Sequence, residues 1–513
     1  LQRSGQPVKL SRTRNSVLNI SAGILLQMLT IGLGFYSRQL FVENLGYEIL
    51  GVNGLFQNLV AILGLAEAGI GTAIICHLYR PLAAGDQVQI RSLMHLYGRA
   101  YRLISLVIGI GGLMAMPFIH LTGQGVFSTG FLRAAFALFL LETITVCLFM
   151  SRKSLLIADQ QNYLVNFINA AAQIVLFIFQ IAILHATRSY LLFVTAGVIL
   201  KIFEGLALSY FVATRYPFLG DKHRFSPADD CCHSVFASTR DLMFHYLAMY
   251  FVRNTDNLII SGWLGLAMVG RLANYQIVIL AVKNIFSQFS NGMIASFGNL
   301  LALETPQKSE KVFYTAFLGN FILFNFASVA LLNLTNPFLN LWLGPESLLP
   351  FSVLFLLVLD FFLHGISMVA GALRASSGVF APDRHLHLGA SLLKLVLSLA
   401  LVQTYGIAGV VFGTVVYRFA EWHCILGWLL HRQVFRSGMQ IFIKNSLAAA
   451  AIFVLSHIAG YHACEMTAAA TTWHNWWTRA IICCIVPNLI ALTALHRSAR
   501  LRAIIARFSD LRQ

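Results

Sequence analysis

LGYEILG at residues 45–51 and LGLAMVG at residues 264–270 share a leucine and two glycines at the same three positions. Each heptapeptide lies between two long apolar stretches, where a chain leaving one membrane helix turns and enters the next. Three matched positions are weak alone. Found at the same point of two helical hairpins, they read as an internal repeat, a common device in transporters. Working outward from the two copies, apolar runs of about 20 residues, enough to cross a hydrocarbon core as a helix, recur along the chain. They predict helices at 16–42, 50–78, 93–119, 131–151, 162–184, 190–213, 237–263, 266–297, 312–335, 347–371, 386–404, 406–430, 443–461 and 476–496. The alternating pattern of a membrane barrel is absent.

Composition agrees. Of 513 residues, 58% are hydrophobic and 11% charged, against about 25% charged in soluble proteins. The expected class is an all-α polytopic membrane protein of about fourteen transmembrane helices. A basic segment at 1–15 precedes an N-terminal half at 16–213. A linker at 214–236 leads to a second half at 237–430, expected to superpose on the first. Helices 13 and 14 (443–496) and a basic tail (497–513) follow. The tail puts Leu501, Ile504, Ile505 and Phe508 on one helical face and arginines on the other, which suits the inner leaflet surface. The basic start (Arg3, Lys9, Arg12, Arg14) runs into apolar sequence with no cleavage site, so helix 1 reads as a signal anchor.

The net charge of +16 is carried mostly by alternate loops: Arg80 and Arg91, Arg152 and Lys153, Arg215 to Arg224, Lys308 and Lys311, Arg384, Arg432 and Arg436, and the tail. The opposite loops are nearly bare of basic residues. The positive-inside rule puts both termini in the cytoplasm, and a charge spread this way argues against nucleic acid as a partner. Membrane lipids are the expected contact. The eight cysteines show no metal-ligand spacing. Cys231 and Cys232 fall in the linker, Cys483 and Cys484 in a helix, and reduced structural thiols are expected. No Gly-rich phosphate loop, zinc-type spacing or G-x-S-x-G is present. No loop is long enough for a catalytic domain, so the expectation is a protein that is not an enzyme and has no cofactor.

Polar residues run in stripes down four apolar helices at spacings of three or four, which keeps each stripe on one face. Helix 1 has Asn19, Gly23, Gln27, Thr30, Gly34 and Arg38; helix 2 has Asn53, Gln57, Ala61, Gly64, Glu67 and Gly71. Helix 7 has His245, Met249, Arg253 and Asp256; helix 8 has Gln276, Leu280, Lys283, Ser287 and Asn291. Charges inside predicted spans also include Asp360, Lys394, Arg418 and Glu421. Each costs roughly 2.5–3.5 kcal/mol at mid-membrane and so requires water or a partner. Arg418 and Glu421, one turn apart, read as a structural pair. Glu67 and Lys283 read as lining a water-filled cavity, at similar depths on repeat-related helices, where they could pair across the halves. His245 and His364 read as packing residues. Arg253 has Asp256 three residues on as the bland partner, and Arg38 could reach the outer surface.

The stretches GFYSRQLFVENLGYEILGVNGLF, LAEAGIGTAI and LYRPLAAGD in 31–102, NTDNLIIS at 254–261, LRASSGVFAPDR at 373–384 and YGIAGVVFGT at 405–414 resemble, in order and spacing, the Wzx-type polysaccharide and O-antigen repeat-unit flippases of the multidrug/oligosaccharidyl-lipid/polysaccharide (MOP) exporter superfamily. One departure is visible: His387-Leu388 replaces the usual basic-Pro pair after the Asp-Arg. The resemblance implies two pseudo-symmetric six-helix lobes around a central cavity, plus two C-terminal helices. It also implies alternating access that moves undecaprenyl-pyrophosphate-linked oligosaccharide, the precursor of capsule, O-antigen or exopolysaccharide, to the outer leaflet of a bacterial cytoplasmic membrane. H+ and Na+ are the candidate coupling ions. Polysaccharide polymerase and glycosyltransferases are the candidate protein partners. The cavity candidates are Arg38, Glu67, Arg253, Asp256, Lys283, Gln27, Asn53 and Gln57, with Arg38 and Arg253 as pyrophosphate ligands because arginine presents a fixed donor fork. A cation-coupled multidrug exporter and a peptidoglycan-precursor flippase of the same fold are the alternatives. A membrane glycosyltransferase or polymerase would need a large loop or domain.

Overall fold

Glycine and proline punctuate the helices. The computed structural model describes residues 12–63, 78, 81–82, 84–122, 126–159, 161–220, 254–377, 384–467, 469–496 and 500–501. Among the described residues every regular element is helical. In chain order they are α1 (Arg12–Leu63), α2 (Gln87–Ala115), α3 (Thr129–Ala158), α4 (Asn162–Thr187), α5 (Tyr190–Arg215), α6 (254–264), α7 (Leu266–Leu303), α8 (Pro306–Leu343), α9 (Phe351–Ser377), α10 (Arg384–Tyr405), α11 (Ile407–Ala420), α12 (Met439–Glu465) and α13 (Trp473–Leu495). Ten described helices are long and apolar enough to cross a membrane. The chain is a multi-pass membrane protein.

Several boundaries differ from the hydropathy reading, each for a local reason. The first two expected helices are one hydrogen-bonded run, α1, bent at Gly46, whose φ of 80° and ψ of 176° are not helical. Gly265 stands at the matching position between α6 and α7 with φ 89°. Both φ values lie where only glycine rests without strain, so the first glycine of each repeat copy makes the turn. Helix α8 is longer than the expected 312–335. Pro306 supplies its first turn, where the missing N–H costs nothing, and Gly344 (φ 83°) ends it. Hydropathy sees only the apolar middle of such a helix. After α11 the expected 406–430 helix widens into π-turns at Glu421–Leu426 and Leu430–Phe435. Inside the first, Trp422 is buried and stacks on Phe317, ring centroids 5.4 Å apart and planes 6° from parallel.

The chain packs as two units, one holding residues 1–46 and 59–243, the other 47–58 and 244–513. In the first, α2, α3 and α5 bury Tyr97, Tyr101, Ile104, Leu155 and Leu156. The other face of α2 leaves Leu103, Leu106, Leu113 and Met114 open, an apolar surface that lipid covers. In the second unit, α8 and α9 are the most deeply buried spans. Their phenylalanines interlock, with Phe324 and Phe361 rings 5.0 Å apart and Phe321 and Phe362 6.0 Å apart. Polar groups tie α8 to α9 and to α7. Asn320 Nδ2 donates to the Gly365 carbonyl at 2.5 Å, Tyr275 Oη to Asn336 at 2.7 Å, and the Leu349 amide to Tyr275 Oη at 2.9 Å.

Residues 47–58 of α1 belong to this second unit and lie on α7 with almost nothing between the backbones. A Cβ added at Gly51 would overlap the Leu266 carbonyl, and one at Gly270 would overlap the Tyr47 carbonyl. The second glycine of each repeat copy therefore packs against the other copy.

Candidate functional site

The second unit carries a buried network of charge. Gly406 (φ 58°) alone separates α10 from α11, and the two helices then run together. Positions 409 and 413 of α11 must be glycine for this, because a Cβ there would overlap the Leu401 and Lys394 carbonyls. Lys394, midway along α10, is fully buried. Its ammonium donates to Thr255 Oγ1 at 2.9 Å and to Asp256 Oδ1, both on α6. Thr414 of α11 donates to the other Asp256 oxygen at 3.0 Å. One carboxylate thus gathers α6, α10 and α11.

One turn beyond Thr414, Arg418 makes the second junction. Its Nε donates to Asp360 Oδ1 of α9 at 3.0 Å, and its Nη1 to Glu421 at 2.8 Å. The planar guanidinium suits this double duty; an ammonium has no such fork. Asp360 lies within electrostatic reach of Asp256, so the two junctions form one network. Among the described residues three carboxylates face two cations, leaving one formal negative charge. The cations sit behind: Lys394 and Arg418 side chains are 0% and 6% exposed, those of Asp256 and Asp360 17% and 25%. The more accessible edge is acidic. Toward the start of α10, buried His387 meets Tyr417 Oη at 3.2 Å. The residue that departs from the flippase pattern thus joins α10 to α11.

The eight cavity candidates fall as follows. Asp256 is in the network, joined to Lys394 of α10. Lys283 is half-buried on α7, Asn53 half-buried and Gln57 exposed on the 47–58 stretch, and Arg38 half-buried on α1 within the first unit. Glu67 and Arg253 lie outside the described residues, as does the side chain of Gln27. Lys394, Asp360, Arg418 and Glu421 were recognisable as intramembrane charges, and the Arg418–Glu421 pairing is present. Thr255 and Thr414 carry no sequence signal, since hydroxyls are common in membrane helices.

The first unit has its own charges, which the sequence reading passes over. Lys201 and Glu204 on α5 pair at 2.7 Å, and Glu142 of α3 is within electrostatic reach of both. The i,i+3 spacing of Lys201 and Glu204, the same signal as Arg418 and Glu421, was there to be read.

No protein-family model and no curated protein matches the sequence. Solved structures do match. One is a lipid II flippase, MurJ, in an inward closed conformation: TM-score 0.66, 13% identity, 93% of this chain and 99% of that one. Another is an inward-facing multidrug resistance MATE transporter of the MOP superfamily: TM-score 0.58, 17% identity, 82% and 98% covered. A third is a MATE transporter of Vibrio cholerae: TM-score 0.56, 14% identity, 83% and 99% covered. The fold of this chain is the fold of these three proteins.

Proposed function

We propose that this protein is a flippase for undecaprenyl-pyrophosphate-linked oligosaccharide repeat units, moving them from the inner to the outer leaflet of a bacterial cytoplasmic membrane by alternating access. The observation that carries the reading is the match, nearly end to end on both chains, to a lipid II flippase. The ordered Wzx-like motifs narrow it to polysaccharide precursors. Charge supports the same substrate. With Asp256 engaged by Lys394, the remaining charged candidates are Arg38, Arg253 and Lys283 against Glu67, a balance that favours an anionic pyrophosphate. Gln27, Asn53 and Gln57 offer amides to sugar hydroxyls. Two lobes, both termini in the cytoplasm, and polymerase and glycosyltransferases as neighbours in the membrane complete the reading.

One observation favours a second reading. The one carboxylate in excess over cations among the described residues of the network suits a cationic substrate, as in a multidrug exporter. The deciding experiment depletes the protein in its host and follows two readouts. A flippase loses surface polysaccharide and accumulates lipid-linked oligosaccharide on the inner leaflet, and both recover with the wild-type chain but less with Arg38→Ala. Unchanged polysaccharide with new sensitivity to cationic drugs refutes the flippase and supports the exporter.

A further inference from the structure

We infer that the Lys394 ammonium is the resident cation of the Asp256 pocket, and that it stands where a sodium ion would otherwise bind. The pocket is made of oxygen: Asp256 supplies two carboxylate atoms, and Thr255 and Thr414 supply hydroxyls, from α6 and α11. Hard cations take such donors. Nζ already sits on two of these oxygens, and its side chain has no exposure. The backbone that carries it is tightly held. The α10–α11 hairpin closes over one residue, and its backbones touch at Gly409 and Gly413, which fixes the Lys394 backbone beside Thr414. An ammonium kept there neutralises Asp256 without drawing an ion from solution, which removes much of the cost of an unpaired carboxylate in the membrane.

The pocket has charged neighbours on the elements packed around it. Asp360 approaches from α9 and is itself held by Arg418 of α11. Glu421 closes the far side of Arg418. Among the described residues no second cation stands at bonding distance from Asp256, and removing the Lys394 ammonium opens the oxygens it holds to a solution ion. Of the two candidate coupling ions, sodium is then the one this site does not use. The inference rests on the transporter reading only for the word coupling; the ion pocket itself can be tested without any substrate.

The test is thermal unfolding of the purified full-length protein in excess NaCl against equal KCl, with radioactive sodium binding as a second measure. Wild type is expected to unfold at the same temperature in both salts and to bind no sodium at this site. Lys394→Ser, which empties the pocket and adds an oxygen, is expected to gain roughly 5 °C in sodium over potassium, and to lose that gain when combined with Asp256→Asn. If Lys394→Ser does not accumulate in potassium medium, purification in NaCl is expected to recover it. A sodium-specific shift or bound sodium in wild type that Asp256→Asn abolishes overturns the inference. So does a Lys394→Ser protein indifferent to the two salts, or one that fails to accumulate in both. Because no outcome depends on oligosaccharide, failure here leaves the flippase reading standing, and failure of the flippase reading leaves the pocket standing.

Discussion

The two units place charge inside the membrane in different ways. In the first, Lys201 and Glu204 are three residues apart on one helix, and the lysine is 28% exposed; Glu142 comes from one neighbouring helix. In the second, Lys394 and Asp256 are 138 residues apart and Arg418 and Asp360 are 58 apart, and the cations are almost wholly buried. A local pair forms whenever its helix forms. A distant pair forms only when separate helices have packed, and so it reports on their packing. Among the described residues both groups leave one formal negative charge, so the contrast lies in what each charge holds together, not in how much charge there is.

The largest expected effect tests that contrast directly. Lys394→Met leaves Asp256 buried without its ammonium, and is expected to lower unfolding stability in detergent by about 3–5 kcal/mol. Combining it with Asp256→Asn removes both charges and is expected to recover most of the loss. A double variant no more stable than the single one would break the comparison, because the pair would then not be what joins α6 to α10. A middle-sized effect is expected at Gly270. Gly270→Ala drives a methyl group into the Tyr47 carbonyl and should cost about 1–3 kcal/mol, while Gly262→Ala, facing open space, should cost nothing measurable. Equal unfolding temperatures for the two variants would show that the crossing has slack. The smallest change belongs to the first unit: Lys201→Met removes a partly exposed local pair and should cost about 1 kcal/mol or less. A loss as large as that of Lys394→Met would erase the distinction between the units.

Much of the fold was legible because hydrocarbon is a demanding solvent: any chain that crosses it must hide its backbone in helices and its apolar side chains in lipid. The repeat was legible too. Its first glycine turns the chain and its second meets the other copy, two duties no other residue performs at those φ values and distances. The charge at Asp256 could be seen, but its partner could not, since periodicity relates residues on one helix and Lys394 stands on another. Helix length escaped for a related reason. Pro306 and the polar first turn of α8 project beyond the apolar stretch that a hydropathy window detects, and the continuity of α1 through Gly46 depends on backbone hydrogen bonds that composition does not encode.

The crossing of Gly51 on α7 also has a place in time. Gly51 leaves the ribosome 219 residues before Gly270, and synthesis at about 5–20 residues per second puts roughly 10–40 s between them. Throughout that interval the newly inserted stretch 47–58 has no α7 to lie on, and its glycines face lipid or whatever insertion machinery attends the chain. The contact that completes the second unit around its first-made piece is therefore among the later events of biogenesis. A nascent chain halted before Leu266 would carry an α1 whose outer half has yet to find its place.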